Sequence, residues 1–190
     1  MASAIGEAEV VAEATRSLRI AAPEVVAYAC TSGSFVGGLD GEARLRAAME
    51  NAGAPHALTT SGALLKALES LNARRVAVAT PYDAEVTVKL SGFLAEAGYE
   101  TVSSAFLGLT GDIFRVNRET VRLLARAADR EEADAVFLSC TNLRTFEVLP
   151  EIEAELGKPV LAANQVTMWA AIRAAGLAED WLRPPSAPRW

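Results

Sequence analysis

Two stretches of the chain share one layout: Val25-Val26-Ala27-Tyr28-Ala29-Cys30-Thr31 and Ala135-Val136-Phe137-Leu138-Ser139-Cys140-Thr141. Each is an apolar run that ends in Cys-Thr, and a small polar residue follows, Ser32 or Asn142. A short, nearly continuous apolar run predicts a strand that helices cover on both faces. Ligands of open parallel sheets bind beyond the carboxyl ends of the strands. The repeat therefore predicts two similar halves whose thiols face each other across a cleft.

Short apolar runs alternate with longer stretches of helical periodicity along most of the chain, which is typical of βα units in an α/β protein with a mainly parallel sheet. Strands are predicted at 25–29, 54–58, 75–79, 100–105, 135–139 and 159–162. Helices are predicted at 6–20, 41–52, 62–71, 84–97, 117–128, 150–156 and 166–175. In the helix at 117–128, Asn117 is the predicted cap, and Leu123 and Leu124 the inner face.

The composition excludes several classes of protein. Of 190 residues, 51% are hydrophobic and 22% charged, which is enough for a buried core and excludes disorder for most of the length. The net charge of −6 disfavours binding to nucleic acid or to anionic lipid. The first residues lack the features of a secretory signal, and no apolar run is long enough to span a membrane. We therefore expect a cytoplasmic protein with two free thiols.

Both cysteines stand at strand-to-loop junctions, where functional sites are common. Two thiols and a single histidine do not complete a zinc site, so no metal is expected. A redox pair would require the sulfur atoms in disulfide contact. A thiolate is a good nucleophile and base, and an opposed thiol is a proton donor. Such a pair could transfer protons on the two faces of a flat carbon, or add to an alkene and protonate the neighbouring carbon.

Loops of small hydroxyl residues offer donors for the carboxylate that both reactions require. These loops are Thr31-Ser32-Gly33-Ser34, Thr59-Thr60-Ser61-Gly62, Thr80-Pro81-Tyr82 and Thr141-Asn142. Backbone N–H groups at helix N-termini attract anions, although any one such loop is better explained as an ordinary helix cap. Four of them at strand carboxyl ends predict a site for a small carboxylate substrate.

The same residues resemble the Asp/Glu racemase superfamily, and within it the branch of maleate cis-trans isomerases and arylmalonate decarboxylases. Ectoine-utilisation proteins described as isomerase- or decarboxylase-like are similar as well. The motifs that carry the resemblance lie between residues 6 and 177, and they are Tyr28-Ala29-Cys30-Thr31-Ser32-Gly33-Ser34-Phe35, Thr59-Thr60-Ser61-Gly62-Ala63-Leu64, Thr80-Pro81-Tyr82, Ser139-Cys140-Thr141-Asn142-Leu143-Arg144 and Ala163-Asn164-Gln165.

The resemblance implies two pseudo-symmetric Rossmann-like lobes with parallel sheets, an active site between them, and no cofactor. The first lobe would comprise residues 1–71 and 159–182, and the second residues 72–158. Residues 183–190 are rich in proline and would form a flexible tail.

The resemblance also implies roles for single residues. In isomerases of this type, the residue that matches Cys30 adds to the double bond, and the one that matches Cys140 donates and accepts the proton. Arylmalonate decarboxylases carry Gly at the position of Cys30, so this cysteine favours isomerisation or racemisation over decarboxylation. The residues expected to bind substrate are Thr31, Ser32 and Tyr82, which match a carboxylate cradle, and also Thr59, Thr60, Thr141, Asn142 and Asn164.

One departure from the family concerns the start of the sequence. Family members begin with a strand and a Pro/Asn-containing loop that supplies a substrate-binding Asn, and neither precedes the helix predicted at 6–20. We therefore expect an exposed sheet edge or apolar surface in the first lobe, which would favour a homo-oligomer. The sequence does not decide between a truncated product and a natural loss of the loop, and in either case binding is better supported than full activity.

The leading functional hypothesis is a cofactor-independent isomerase of a small dicarboxylate, such as maleate to fumarate. Two-base racemisation of an amino acid or hydantoin is the second, although no Asp or Glu stands beside either thiol to bind an ammonium group. Arylmalonate-type decarboxylation and a non-catalytic accessory protein are further alternatives. The missing leading strand favours the hypothesis of a non-catalytic accessory protein.

Other polar or aromatic residues have mainly structural interpretations. His56, the single histidine, is predicted at the surface or at a strand edge. Arg144 fits a contact with a substrate carboxylate and an exposed helix position equally well. Met168 and Trp169 are predicted on a buried helix face.

Overall fold

A computed structural model of the chain describes residues 8–177. The helices are α1 (Ala8–Leu18), α2 (Thr31–Phe35), α3 (Gly38–Asn51), α4 (Thr60–Ser70), α5 (Ala84–Glu96), α6 (Arg118–Ala128), α7 (Leu149–Leu156) and α8 (Ala163–Ala174). The strands are β1 (Val25–Tyr28), β2 (His56–Thr59), β3 (Arg75–Thr80), β4 (Glu100–Phe106), β5 (Ala135–Leu138) and β6 (Val160–Ala162). Each strand and helix predicted from the sequence is present, with ends that differ by a few residues.

The strands form two parallel sheets. Within residues 8–177, β1 pairs with β2 alone, in a register that runs from Val25 opposite His56 to Tyr28 opposite Thr59. The second sheet has the strand order β4-β3-β5-β6, with β3 and β5 at its centre. The two cysteine-bearing stretches therefore leave the carboxyl ends of β1 and β5, one in each sheet.

The central strands of the larger sheet are covered on both faces. Every residue of β5, and every residue of β3 after Arg75, is buried, so the prediction from continuous apolar runs is confirmed for both strands. These strands lie in the main hydrophobic core, to which α4, α6 and α8 also contribute side chains.

The first cysteine-bearing strand is covered differently. In β1, Val26 is buried and Ala27 is exposed, so the helices of residues 8–177 cover only one face of the strand. The expectation that this stretch is buried on both faces is therefore wrong. Val26 belongs to a second, smaller apolar cluster, which it forms with Val11, Leu45, Met49 and Ala54.

The last described helix packs on the smaller sheet, which the strand before it does not join. β6 pairs with β5, whereas α8 packs against α4 and against both strands of the smaller sheet. The segment at 159–162 thus completes the larger sheet, and the helix that follows it connects the two sheets. The division into residues 1–71 with 159–182, and residues 72–158, stays a prediction, and the proposed tail at 183–190 lies outside the described residues.

Two expectations about helix faces are wrong. Leu124 is buried with Val121 and Ala125, but Leu123 is 50% exposed because one further residue turns the side chain by about 100° around the helix. Met168 is likewise 49% exposed, whereas its neighbour Trp169 packs against the core.

The sequence does not predict the short helix α2. Its sequence, Thr-Ser-Gly-Ser-Phe, has low intrinsic helix propensity, so only the tertiary structure makes it helical. No helix in the described part of the chain has the length and apolar character that a membrane span requires.

Candidate active site

Both thiols lie at the carboxyl end of a parallel strand. Cys30 precedes the first turn of α2 and is half-buried, and Cys140 follows β5 and is 8% exposed. Both are free cysteines. The backbone of Cys140 has a φ of 91°, a conformation that residues other than glycine rarely adopt. This turn directs the chain away from β5 immediately at the thiol.

The ends of the two cysteine-bearing strands are joined directly. The Thr141 hydroxyl donates a hydrogen bond of 3.1 Å to the carbonyl oxygen of Ala29. The side-chain amide of Asn164, at the start of α8, donates one of 2.8 Å to the carbonyl oxygen of Thr141. In addition, the charge of Cys30 influences the titration of Cys140. The two thiols therefore belong to one site, which residues of three separate segments hold together.

Cys140 is held as a neutral thiol. Burial raises the pKa of the Cys140 thiol above its ordinary value of 9.0, and the proximity of Cys30 raises it further. Two hydrogen bonds oppose this rise, one from the Asn142 backbone N–H, 3.4 Å from Sγ, and one from the Tyr82 hydroxyl. They offset only part of it, so the pKa stays raised. At neutral pH, Cys140 therefore carries a proton that it can donate.

Tyr82 connects the second thiol to the first cysteine loop. Its side chain is buried, and burial raises the pKa of its phenol well above 10.0, so the hydroxyl stays protonated. The hydroxyl interacts with Cys140 and lies 3.5 Å from the Ser139 hydroxyl. The ring of Phe35, in α2, packs edge-on against Tyr82 with the centroids 6.2 Å apart. Tyr82 is thus fixed beside both thiol loops.

The Thr31 hydroxyl is buried and lacks a hydrogen-bond partner in the described part of the chain. Thr31 is 1% exposed, and its Oγ1 forms no hydrogen bond of normal geometry within residues 8–177, although it lies close enough to Tyr82 to affect the pKa of that phenol. A buried hydroxyl without a partner is costly, so this one is suited to a polar group of the substrate. Ser32, predicted with Thr31, is half-buried beside it.

Two serines fix the loop that carries Thr31. The hydroxyls of Ser34 and Ser61 are 2.7 Å apart, and each donates to the carbonyl oxygen of Thr31, at 2.9 Å and 3.3 Å. The Ser61 backbone N–H also donates to Ser34 Oγ. Both serines lie in hydroxyl-rich loops, Thr31-Ser32-Gly33-Ser34 and Thr59-Thr60-Ser61-Gly62, but residue type and spacing alone predict no role for either. They hold the N-terminal turns of α2 and α4 together.

Thr59 and Thr60 are fully buried and their hydroxyls already have protein partners. The Thr59 hydroxyl donates to Glu42 at 2.8 Å and accepts from the Gly62 backbone N–H at 2.9 Å, which caps α4. The Thr60 hydroxyl accepts a hydrogen bond of 2.9 Å from Thr167 of α8. These bonds explain both residues structurally, and their contact with substrate stays a prediction.

The other predicted polar residues differ in exposure. Asn142, Arg144 and Asn164 are exposed, and Thr141 is half-buried. His56 is exposed at the first residue of β2, which is the end opposite the thiols, so the prediction of a surface histidine is confirmed. Among the residues that the structure describes, no three His, Cys, Asp or Glu side chains are grouped as a metal site would require.

This arrangement can be compared with known proteins. A sequence model described as arylmalonate decarboxylase matches residues 5–182. The chain belongs to the arylmalonate decarboxylase family. The resemblance to this branch of the Asp/Glu racemase superfamily is thereby confirmed, whereas the resemblance to ectoine-utilisation proteins and the missing first strand stay predictions.

Curated relatives of the family have two enzymatic names. Arylmalonate decarboxylase of Bordetella bronchiseptica is 37% identical over 172 residues, which is 88% of this chain and 72% of the relative. A maleate isomerase of Nocardia farcinica is 32% identical over 165 residues, which is 83% of this chain and 66% of the relative. The chain thus spans about two thirds to three quarters of the length of these relatives. They support an enzyme of the isomerase or decarboxylase kind.

Solved structures of the family share the fold. A liganded double mutant of arylmalonate decarboxylase, with one Gly-to-Cys and one Cys-to-Ser change, aligns with a TM-score of 0.88 at 36% identity, over 94% of this chain and 77% of that one. A Cys-to-Ser mutant of the Nocardia farcinica maleate cis-trans isomerase, with a covalently bound succinylcysteine intermediate, aligns with a TM-score of 0.84 at 27% identity, over 87% and 71%. The predicted Asp/Glu racemase-like α/β fold is confirmed.

Proposed function

We propose that this protein is a cofactor-independent cis-trans isomerase of a small cis-dicarboxylate of the maleate type. The observation that carries the proposal is the pair of thiols at two joined strand ends, close enough for the charge of Cys30 to act on Cys140. A single thiol would suffice for a proton transfer to one face of a carbanion. A second thiol allows covalent addition to a double bond, which is the step that permits rotation.

The chemistry begins with the Cys30 thiolate. Its sulfur attacks one alkene carbon, a C–S bond forms, and the π electron pair moves toward the carboxylate on the other carbon. Cys140 then gives its proton to that second carbon, which yields a succinyl thioether. After rotation about the new single bond, the Cys140 thiolate removes the proton again, the C–S bond breaks, and the trans product leaves with the Cys30 thiolate restored.

The surroundings of each thiol support this division of roles. Because its pKa is raised, Cys140 stays protonated until the addition of Cys30 leaves a carbanion at the second carbon, which it then protonates. The buried hydroxyl of Thr31, unpaired within residues 8–177, and the protonated phenol of Tyr82 are donors for the carboxylate on which negative charge accumulates. The succinylcysteine in the isomerase relative is an adduct of the kind that this route requires.

Decarboxylation of an arylmalonate is the second candidate. It is favoured by the family match and by the 37% identity to a decarboxylase. That reaction needs a proton donor for the carbanion left by CO2, and Cys140 would supply the proton. It gives Cys30 no role, which is why isomerisation is the leading proposal.

The test incubates the purified protein separately with maleate and with phenylmalonate and follows the products by proton NMR. Fumarate without phenylacetate supports the isomerase, and phenylacetate without fumarate supports the decarboxylase. The matched control is Cys30→Gly, which should abolish fumarate formation and leave any decarboxylation intact. Loss of optical activity in L-aspartate or L-glutamate, with no fumarate formed, would replace both candidates by racemisation. If no product forms in any assay but maleate raises the melting temperature, the protein binds the ligand without turning it over, which would contradict the proposal.

A further inference from the structure

Tyr28 lies beside the first thiol, and neither its position nor its chemistry is used in the mechanism above. It is the last residue of β1 and is half-buried. Its hydroxyl lies close to Gly33, in the short helix α2. A β-carbon on Gly33 would lie 2.3 Å from Tyr28 Oη and 3.1 Å from Cys30 Sγ. The phenol oxygen and the thiol sulfur are therefore both adjacent to the same small space.

Gly33 is required there by space rather than by backbone conformation. Gly33 lies within a helix, and its φ is outside the left-handed region that favours glycine. An alanine could adopt this backbone, but its methyl group would occupy the position where the Tyr28 hydroxyl approaches. The absence of a side chain at residue 33 thus lets a phenol reach the thiol.

The two groups interact electrostatically. Burial raises the pKa of the Tyr28 phenol, and the charge of Cys30 and a hydrogen bond with Cys30 raise it further. The phenol therefore keeps its proton over the working pH range and is the donor in this contact. Each thiol of the site thus has its own tyrosine: Tyr28 for Cys30, and Tyr82 for Cys140.

We propose that Tyr28 is a positioning residue that donates a hydrogen bond to the Cys30 sulfur and stabilises its thiolate form, and that Gly33 provides the space for this contact. A hydrogen bond to an anion favours that anion over the neutral thiol. The significance of the thiolate for turnover rests on the proposed function, but the hydrogen bond itself does not. Loss of the phenol would leave a smaller fraction of Cys30 as thiolate at a given pH.

The test measures alkylation of Cys30 by iodoacetamide as a function of pH. It uses the full chain with Cys140→Ser, because Cys30 is then the single cysteine that iodoacetamide can alkylate. In this background, Tyr28→Phe should move the midpoint of the alkylation profile upward by about one pH unit, which means about tenfold less thiolate at a pH below the midpoint. The plateau rate at high pH should rise about threefold, since a more basic thiolate is intrinsically more nucleophilic.

A second variant tests the role of Gly33. Gly33→Ala keeps the tyrosine but displaces its hydroxyl, so it should move the midpoint in the same direction, and the double variant should shift it no further than Tyr28→Phe alone. The matched control is Tyr99→Phe, because the Tyr99 hydroxyl instead donates to the carbonyl oxygen of Leu65. This variant should leave the profile unchanged.

The outcomes separate this proposal from the proposed function. A midpoint that Tyr28→Phe leaves in place, with a changed plateau rate only, would mean that the tyrosine merely limits access to the sulfur, and it would overturn the proposal. Additive shifts in the double variant would overturn the role of Gly33. Because alkylation does not depend on turnover, a protein that fails to isomerise maleate can still confirm the contact.

Discussion

The Thr141 hydroxyl donates a hydrogen bond to the carbonyl oxygen of Ala29, so the residue after one thiol holds the residue before the other. Ala29 follows a strand of the smaller sheet, and Thr141 follows a strand of the larger one. The relative position of the two sulfur atoms therefore depends on a direct contact between the sheets as well as on the core beneath them.

Replacing Thr141 by valine should loosen this contact. Valine preserves the shape but removes the donor, and water can solvate the exposed Ala29, so the free energy of unfolding should fall by only about 0.5–1.5 kcal/mol in urea titrations. Turnover should fall more than stability suggests, since the spacing of the thiols is less well fixed. The control is Thr110→Val, at an exposed loop position, with a change within about 0.5 kcal/mol. Equal effects of both variants would contradict the structural role of the contact.

The two thiols should be individually essential. Cys30→Ser removes the nucleophile and Cys140→Ser the proton donor, so each should lower kcat for maleate by more than about a thousandfold. Combining them should cost little more than either alone, because both act in one covalent cycle. Circular dichroism and thermal unfolding should match the wild type. Near-wild-type turnover in either single variant would show that its role has been assigned wrongly.

Tyr82→Phe should shift the alkaline limit of activity upward. The first protonation requires neutral Cys140, so the alkaline limit of kcat/KM, which reports the free enzyme, should lie above pH 9, since the folded protein raises the pKa of this thiol above 9.0. The Tyr82 hydroxyl lowers that pKa. Its removal therefore raises the pKa further and moves the limit to higher pH, while the loss of a carboxylate donor lowers kcat by about a hundredfold.

The direction of this shift can be checked without turnover. In a Cys30→Ser background, alkylation of Cys140 in the Tyr82→Phe variant should have its midpoint at higher pH than with Tyr82 present. A midpoint at lower pH would mean that the phenol does not donate to the sulfur.

Asp134 should contribute to stability in a pH-dependent way. Its carboxylate accepts a hydrogen bond of 2.9 Å from the Arg75 guanidinium and two more from the backbone N–H groups of Arg74 and Arg75, and these bonds lower its pKa from 3.8 to about 2. Because the folded-state pKa is depressed, this contribution is present above pH 3.8 and is lost as the pH falls toward 2. Asp134→Asn should therefore reduce the free energy of unfolding by about 1 kcal/mol at pH 7, and by less at pH 3.

A matched variant separates this effect from loss of a surface charge. Asp112 pairs with Arg115, and both side chains are more than 70% exposed. Asp112→Asn should change the free energy of unfolding by less than about 0.5 kcal/mol at either pH. A pH-independent effect of Asp134→Asn would show that the carboxylate acts through its shape and not through its charge.

The sequence predicts this fold well where burial is complete. The apolar runs at β3 and β5 indicate strands covered on both faces, and their ends locate the second thiol. The same argument fails at β1, because the sequence 25–29 is apolar although Ala27 faces solvent. An apolar run alone does not reveal whether a helix covers both faces.

Only part of the candidate site can be predicted from the types of residue in the sequence. The two cysteines and Thr31 stand out by spacing, since each follows a strand. The contacts of Tyr28 with Cys30 through Gly33, and of Ser34 with Ser61, depend on how α2 packs against β1 and α4. Helix α2 has too low a helix propensity to be predicted from its sequence. The local sequence therefore does not predict either of these contacts.

The left-handed backbone at Cys140 has a practical consequence for directed evolution. A side chain at a φ of 91° strains the chain by an amount of order 1–3 kcal/mol, and glycine would relieve much of it. Cys140→Gly is therefore expected to melt at a higher temperature and to catalyse nothing. A library screened for heat resistance alone would enrich the inactive enzyme, and thermostable variants of this protein must be selected for turnover at the same time.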